Sequence, residues 1–238
     1  NLVNKMIESG EEPTLGGIDA EITAFFSDVQ GFSAFSEILT PQQLVALMNE
    51  YLSGMTDILM ESGCYVDKYI GDAIVGIFNA PVHLDKHALQ ACIVTQLLHK
   101  RLAELRSKWA SEGNKWPPIV SRMQMRIGMN TGFATVGNMG SSRRFSYTMM
   151  GDTVNLAARC ESGSKSYGAY TMITGETMRA AAKEGDACIF RFLDNIIVKE
   201  RGHMNEFDAG GDINQTRILP LGTKCLCAKQ AQHRANSL

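Results

Sequence analysis

The chain of 238 residues has almost no excess of charge: 23 lysines and arginines stand against 25 aspartates and glutamates, a formal net charge of −2. A field that weak cannot hold nucleic acid along a surface, so no nucleic-acid partner is expected and any polyanion must be gripped locally. No apolar run approaches the roughly 20 residues that a bilayer-crossing helix needs. No secretory leader is expected, because the opening NLVNKMIESGEEPTLGG is polar and glycine-rich. These absences predict a cytoplasmic chain, or the cytosolic part of a larger and possibly membrane-attached protein. The six cysteines (Cys64, Cys92, Cys160, Cys188, Cys225 and Cys227) are scattered, several of them within apolar stretches, which fits reduced thiols better than a disulfide frame. Cys225 and Cys227 have no second pair or histidine near them, and the histidines do not cluster, so zinc spacing is lacking. There is no internal repeat and no low-complexity tract.

What is present is a chain 45% hydrophobic, enough for one good core. Residues 1–19 read as a linker from an upstream region, ending at Gly16-Gly17. Residues 21–27 alternate and are β-prone, hence a strand. Phe32 to Leu39 reads as a short helix. Thr40 then caps a second helix with Pro41 at its first position and Gln43 in the capping-box place. Its apolar face (Leu44, Leu47, Met48, Tyr51, Leu52, Met55, Ile58, Leu59) runs to about Ser62. CYVDKYI and AIVGIF, with Gly71-Asp72 between them, read as a hairpin. A long helix is predicted over 84–111, then two strands, MQMRIGMNTG and FATVGNMG. A helix opening near Asp152 carries Asn155 and Arg159 at i, i+4 on one face. TMITG reads as a strand, ETMRAAAKEG as a helix and ACIFRFLDNIIVK as a strand or bent strand pair. From 202 the pattern fades, and 202–238 reads as an irregular, divergent extension or tail. The β-α-β-β-α-β order predicts an α+β sandwich around a mostly antiparallel sheet.

The strongest site signal is FFSDVQGFSAFSE. A strand delivers Asp28 to its end, where a carboxylate can hold a hard cation, and Gly31, Phe32 and Ser33 follow with backbone N–H groups that suit phosphate oxygens. VDKYIGDAIVGIF presents Asp72 in a tight turn. Two aspartates on neighbouring strand ends, with phosphates completing the shell, are how magnesium is commonly held. Each alone is equally at home as a cap or turn residue.

FFSDVQGFS, VDKYIGDAIVGIF, MRIGMNTG, VGNMGSSRRFSYTMMGDTVNLAARCE and LDNIIVK resemble, in order and spacing, the signature blocks of the class III adenylyl/guanylyl cyclase catalytic domain, over roughly residues 20–201. The resemblance implies a ferredoxin-like βαββαβ core and conversion of a nucleoside triphosphate into its 3′,5′-cyclic monophosphate and pyrophosphate. It implies that Asp28 and Asp72, with the Val29 carbonyl, bind two Mg²⁺ or Mn²⁺ ions, one acidifying the ribose 3′-hydroxyl and one clamping the β- and γ-phosphates. By the same likeness, Arg159 meets the charge that builds on the α-phosphoryl oxygens, and Asn155 orients the ribose. Arg126 and Lys199 match groups on the terminal phosphates. After that last block KERGHMNEFDAGGDINQ stands in place of the family's closing strand.

The resemblance makes Lys68 and Thr148 the base-reading pair. Lys68 has donors only, so it can serve adenine N1 and cannot accept from guanine N1–H, where guanylyl members carry Glu. The Thr148 hydroxyl can accept from adenine N6 or donate to guanine O6, so by itself it discriminates weakly. Asp67 can pair with Lys68. Substrate ATP is therefore expected. A guanylate cyclase and a catalytically silent, dimerising cyclase-homology domain are the alternatives. The resemblance further implies a head-to-tail homodimer with two shared sites. Asp28, Asp72 and Arg126 come from one chain; Lys68, Thr148, Asn155, Arg159 and Lys199 come from the other. A sensor or regulatory domain is expected upstream.

Overall fold

A computed structural model describes residues 14–196 and 213–219. The central strand β1 (Gly16–Val29) alternates sides, and both faces of its second half are covered: Ile22 and Ala24 on one, Phe25 and Val29 on the other. It is followed by α1 (Phe32–Ile38) and α2 (Pro41–Glu61). The predicted capping box forms: the Thr40 hydroxyl accepts from the Gln43 N–H, and the Gln43 carboxamide accepts from the Thr40 N–H. Next come β2 (Tyr65–Ile70), β3 (Ala73–Phe78) and α3 (His87–Ser111), then β4 (Met125–Ser141), β5 (Arg144–Met150) and α4 (Asp152–Gly163). The rest is β6 (Thr171–Thr174), α5 (Gly175–Glu184), β7 (Ile189–Ile196) and β8 (Ile213–Leu219).

The sheet runs β2-β3-β1-β4-β6-β8-β7, with β5 paired to the far end of β4. Only β4 and β6 run parallel among the described pairs. The expected α+β architecture, a mostly antiparallel sheet flanked by helices, is what forms. One face carries the larger core, where Phe25, Phe78, Met125, Ile127 and Met129 meet Leu47, Tyr51, Met55 and Leu59 of α2 and Cys92, Leu98 and Trp109 of α3. The other face buries Ile22, Ala24, Val75, Ile77, Val136 and Met149 with Ala157 of α4.

Four readings are corrected. Residues 16–19, read as the end of a linker, belong to β1 and pair with β4. The two strands over MQMRIGMNTG and FATVGNMG are one strand of 17 residues, β4. Gly132, which invited a break, stays extended opposite Ile22, and its missing Cβ leaves room for the Thr153 side chain. RFSYTMM, assigned to no element from the sequence, forms β5, an alternating strand paired with β4. The irregular reading beyond 202 fails at 213–219, where β8 lies between β6 and β7 and completes the sheet. Among the described residues no helix is long and apolar enough to cross a membrane. Among the described residues Cys64, Cys92 and Cys188 are in no disulfide.

Candidate active site

The C-terminal end of β1 places Asp28 opposite Arg126 of β4. Two residues link β2 to β3, and Gly71 takes φ 64°, the left-handed backbone that the first position of such a turn needs. That turn directs Asp72 back to the same strand end, where its Oδ2 accepts from the Val29 N–H at 3.0 Å. Asp72 is 8% exposed. Burial, and the Asp28 carboxylate beside it, raise its pKa to about 6. Beneath the pair lies Tyr51 of α2, whose hydroxyl is pushed well above its ordinary range by burial and by both carboxylates. The potential at this corner is therefore negative. Gly31 opens α1 with φ 75°, and Phe32 and Ser33 form its first turn.

Arg126 is the counter-charge that the chain itself provides. Its Nη2 donates to Asp28 Oδ2 at 2.6 Å and its Nε donates to Glu161 Oε1 of α4 at 2.8 Å. The sequence reading assigned Arg126 and overlooked Glu161, which sits two residues beyond Arg159 on the helix face turned to the sheet. Gly128 explains how α4 comes so close. A Cβ there would lie 2.1 Å from the Glu161 nitrogen and 2.4 Å from the Ala157 carbonyl oxygen, so only glycine admits the helix. On α4, Asn155 is exposed and Arg159 half-buried.

A second group forms where β5 passes β2. Val66 pairs with Gly76 and Lys68 with Val75, so Asp67 is the extra residue of a β-bulge. The bulge lets Asp67 and Lys68 both reach Thr148. Thr148 Oγ1 donates to Asp67 Oδ2 at 2.6 Å, and Lys68 Nζ donates to Thr148 Oγ1 at 3.2 Å. Tyr65 and Tyr147 pack edge to face alongside, 5.4 Å between centroids. Lys199 lies outside the described residues.

The donor set at the β1 corner suits a hard divalent cation: oxygen ligands, negative potential and a carboxylate that burial and its neighbour make costly to ionise unaided. Among the described residues no group of three or more His, Cys, Asp or Glu side chains gathers to hold a metal, so a cation here must complete its shell with other oxygens, as phosphates can provide. An apolar cavity of about 340 Å³ lies elsewhere, lined by Met60, Cys64, Tyr65, Ala80, Pro81 and Leu84. It gathers no such acidic group.

Comparison with known proteins agrees with this arrangement. The family described as adenylate and guanylate cyclase catalytic domain matches residues 18–208. Adenylate cyclase 1 of Rhizobium meliloti is 33% identical over 223 residues, covering 93% of this chain and 32% of that protein. The terminal-differentiation-specific adenylate cyclase of Dictyostelium discoideum is 30% identical over 84% of this chain and 9% of its own length. The chain thus spans a third or less of these relatives. The crystal structure of the adenylyl cyclase CyaB from P. aeruginosa superposes with a TM-score of 0.72 at 28% identity, covering 90% of this chain and all of that one. A crystallised guanylyl cyclase superposes almost as well, TM-score 0.69 at 29% identity, over 90% of this chain and 99% of its own. The sheet order, the paired strand-end aspartates and the matched span together place this chain in the family of adenylate and guanylate cyclase catalytic domains.

Proposed function

We propose that this chain is the catalytic domain of an adenylate cyclase, forming 3′,5′-cyclic AMP and pyrophosphate from ATP in a head-to-tail homodimer with two shared sites. The observation that carries the catalytic half is the pairing of half-buried Asp28 with buried Asp72, whose pKa is raised to about 6. When bound by these carboxylates and the Val29 carbonyl, Mg²⁺ or Mn²⁺ would acidify the 3′-hydroxyl and neutralise phosphate charge. The chain's own groups do the rest. Arg126, anchored at Nε by Glu161, offers its Nη edge to the terminal phosphates, with Lys199. The backbone N–H groups of Gly31, Phe32 and Ser33 donate to further phosphate oxygens. Asn155 orients the ribose so that the 3′-oxygen stands in line with the α-phosphorus. The 3′-oxygen gives its proton to solvent and bonds to that phosphorus as the bond to the β-phosphate oxygen breaks, and the Arg159 guanidinium stabilises the charge that gathers there.

Adenylyl and guanylyl relatives superpose almost equally well, so the base must be decided by side chains. Lys68 favours adenine: a buried group left unpaired costs about 1–3 kcal/mol, roughly ten- to a hundredfold. The shared site is supported by apolar side chains left exposed beside the site residues: Tyr69 and Ile70 flank Lys68 and Asp72, while Phe145 and Met150 flank Thr148. A second copy would cover them. Relative rotation of the two copies is then a natural control point for an upstream sensor.

The test is conversion of Mn-ATP to cyclic AMP by the purified protein. Asp72→Ala should abolish it, a loss of at least about a thousandfold, while the circular dichroism spectrum is unchanged. Retention of most activity would refute the metal assignment. Lys68→Glu should lower the ATP/GTP ratio of kcat/KM at least about tenfold, and an unchanged ratio would remove Lys68 from base reading.

A further inference from the structure

Thr148 is ambiguous as a reader of bases because a hydroxyl can both donate and accept. Its surroundings remove that ambiguity. A hydroxyl has one proton and two lone pairs. The proton of Thr148 is committed to Asp67 Oδ2 at 2.6 Å, the short range of an O–H donor on a carboxylate. One lone pair is taken by the Lys68 ammonium at 3.2 Å. One lone pair remains. Asp67 is well placed to enforce this. Its side chain is only 2% exposed, against 46% for Lys68, and Lys68 Nζ lies 3.5 Å from the same Oδ2. The bulge at Asp67 is what brings a carboxylate and an ammonium from successive residues to one hydroxyl. The second carboxylate oxygen, Oδ1, is buried with no hydrogen-bond partner among the described residues. A carboxylate held for stability alone has no reason to be half satisfied.

We infer that Asp67 is a positioning residue for base selection: by holding the Thr148 proton it makes Thr148 an acceptor only, fit for an exocyclic amine and unfit for an exocyclic carbonyl. The inference rests on the base-reading role proposed above for Lys68 and Thr148. With it, guanine is refused twice. Lys68 cannot accept from guanine N1–H, and Thr148 has no proton left for guanine O6. Adenine is served at both positions.

The experiment compares kcat/KM for Mn-ATP and Mn-GTP in five proteins: the parent, Asp67→Ala, Asp67→Asn, Thr148→Val, and Asp67→Ala combined with Thr148→Val. Asp67→Ala frees the Thr148 proton, and the ATP/GTP ratio should fall at least about tenfold. Asp67→Asn, whose amide oxygen still accepts but weakly, should lower the ratio less, by about threefold or more. With valine at 148 the further change Asp67→Ala should leave the ratio of the Thr148→Val protein unaltered, because no hydroxyl remains to be oriented. A purely structural Asp67 would instead lower turnover of both nucleotides alike. A ratio unchanged in Asp67→Ala overturns the inference while leaving an active, ATP-preferring parent intact. A parent that makes no cyclic AMP from Mn-ATP overturns the underlying base-reading role as well. If Asp67→Ala shows no cooperative melting transition, the near-isosteric Asp67→Asn decides by the same ratio.

Discussion

At the scale of single residues, Asp72 has the most to report. Its pKa in the folded chain is raised to about 6 from an ordinary carboxylate value, chiefly by burial and by Asp28. Between those two values the folded state binds the proton more tightly than the unfolded one. The metal-free chain therefore loses stability as pH rises from about 4 to about 6, and the penalty is fully present at pH 7. Asp72→Asn keeps the shape and removes the charge. It should stabilise the metal-free chain at pH 7 by about 1–2 kcal/mol and flatten this part of the pH profile, measured by urea unfolding with a chelator present. An equal or lower stability at pH 7 would show that the carboxylate pair carries no such strain. Binding of a divalent cation to the parent should weaken as pH falls through about 6, since protonated Asp72 is a poor ligand.

The two aspartates were legible because each stands at a turn the sequence announces: Asp28 before Gly31 and a helix start, Asp72 in a two-residue hairpin loop. Glu161 was not, since nothing in AARCES says that the chain's only described partner for Arg126 Nε lies two residues past Arg159. Asp67 was visible as a neighbour of Lys68, but its bond to Thr148 crosses 81 positions of sequence and depends on a bulge that no composition signals.

At the scale of elements, the helices were the most readable. The α2 stripe is buried at Leu47, Tyr51, Met55 and Leu59 and half-buried at Leu44, Met48, Leu52 and Ile58, and its box at Thr40 and Gln43 forms as spacing predicts. In α3 Leu89, Cys92, Leu98 and Leu102 are buried, whereas Leu97 is exposed. Strands were harder. β5 is only seven residues long, and β8 lies apart from the motif-bearing blocks and owes its place to pairing with both β6 and β7. Glycines in strands mislead in the same way, because Gly128 and Gly132 serve packing and not turns. Gly128→Ala should cost at least about 3 kcal/mol, because a Cβ would strike the backbone of α4, which cannot yield without carrying Glu161 and Arg159 with it. Thermal melting checks this, and a change below about 1 kcal/mol would mean that α4 can lift from the sheet freely. Thr40→Ala should cost about 1 kcal/mol through the lost cap, with activity unaltered once folded.

At the scale of the whole molecule, one chain holds two groups of candidate site residues: the carboxylate corner with Arg126 and Glu161, and the Lys68–Thr148–Asp67 cluster, with which Asn155 and Arg159 of α4 are proposed to act. Apolar residues beside them remain uncovered. Two copies arranged head to tail would join the first group of one to the second group of the other, twice. Specific activity should then rise with protein concentration as dimers form, and Met150→Lys should shift that rise to higher concentration by leaving a charge in the contact. A flat profile for both proteins would argue that a single chain suffices.

The central claim is that the metal-binding carboxylates and Arg159 act on one ATP from different copies of the chain. Complementation tests it most directly. Asp72→Ala and Arg159→Ala should each be inactive with Mn-ATP alone. Mixed in equal amounts, half of the dimers would be hybrids with one intact site, so about a quarter of the parent's cyclic AMP production should return. If the mixture stays as inactive as its components while size-exclusion chromatography shows that the chains exchange, both sets of residues serve the same site from one chain, and the shared-site account is contradicted.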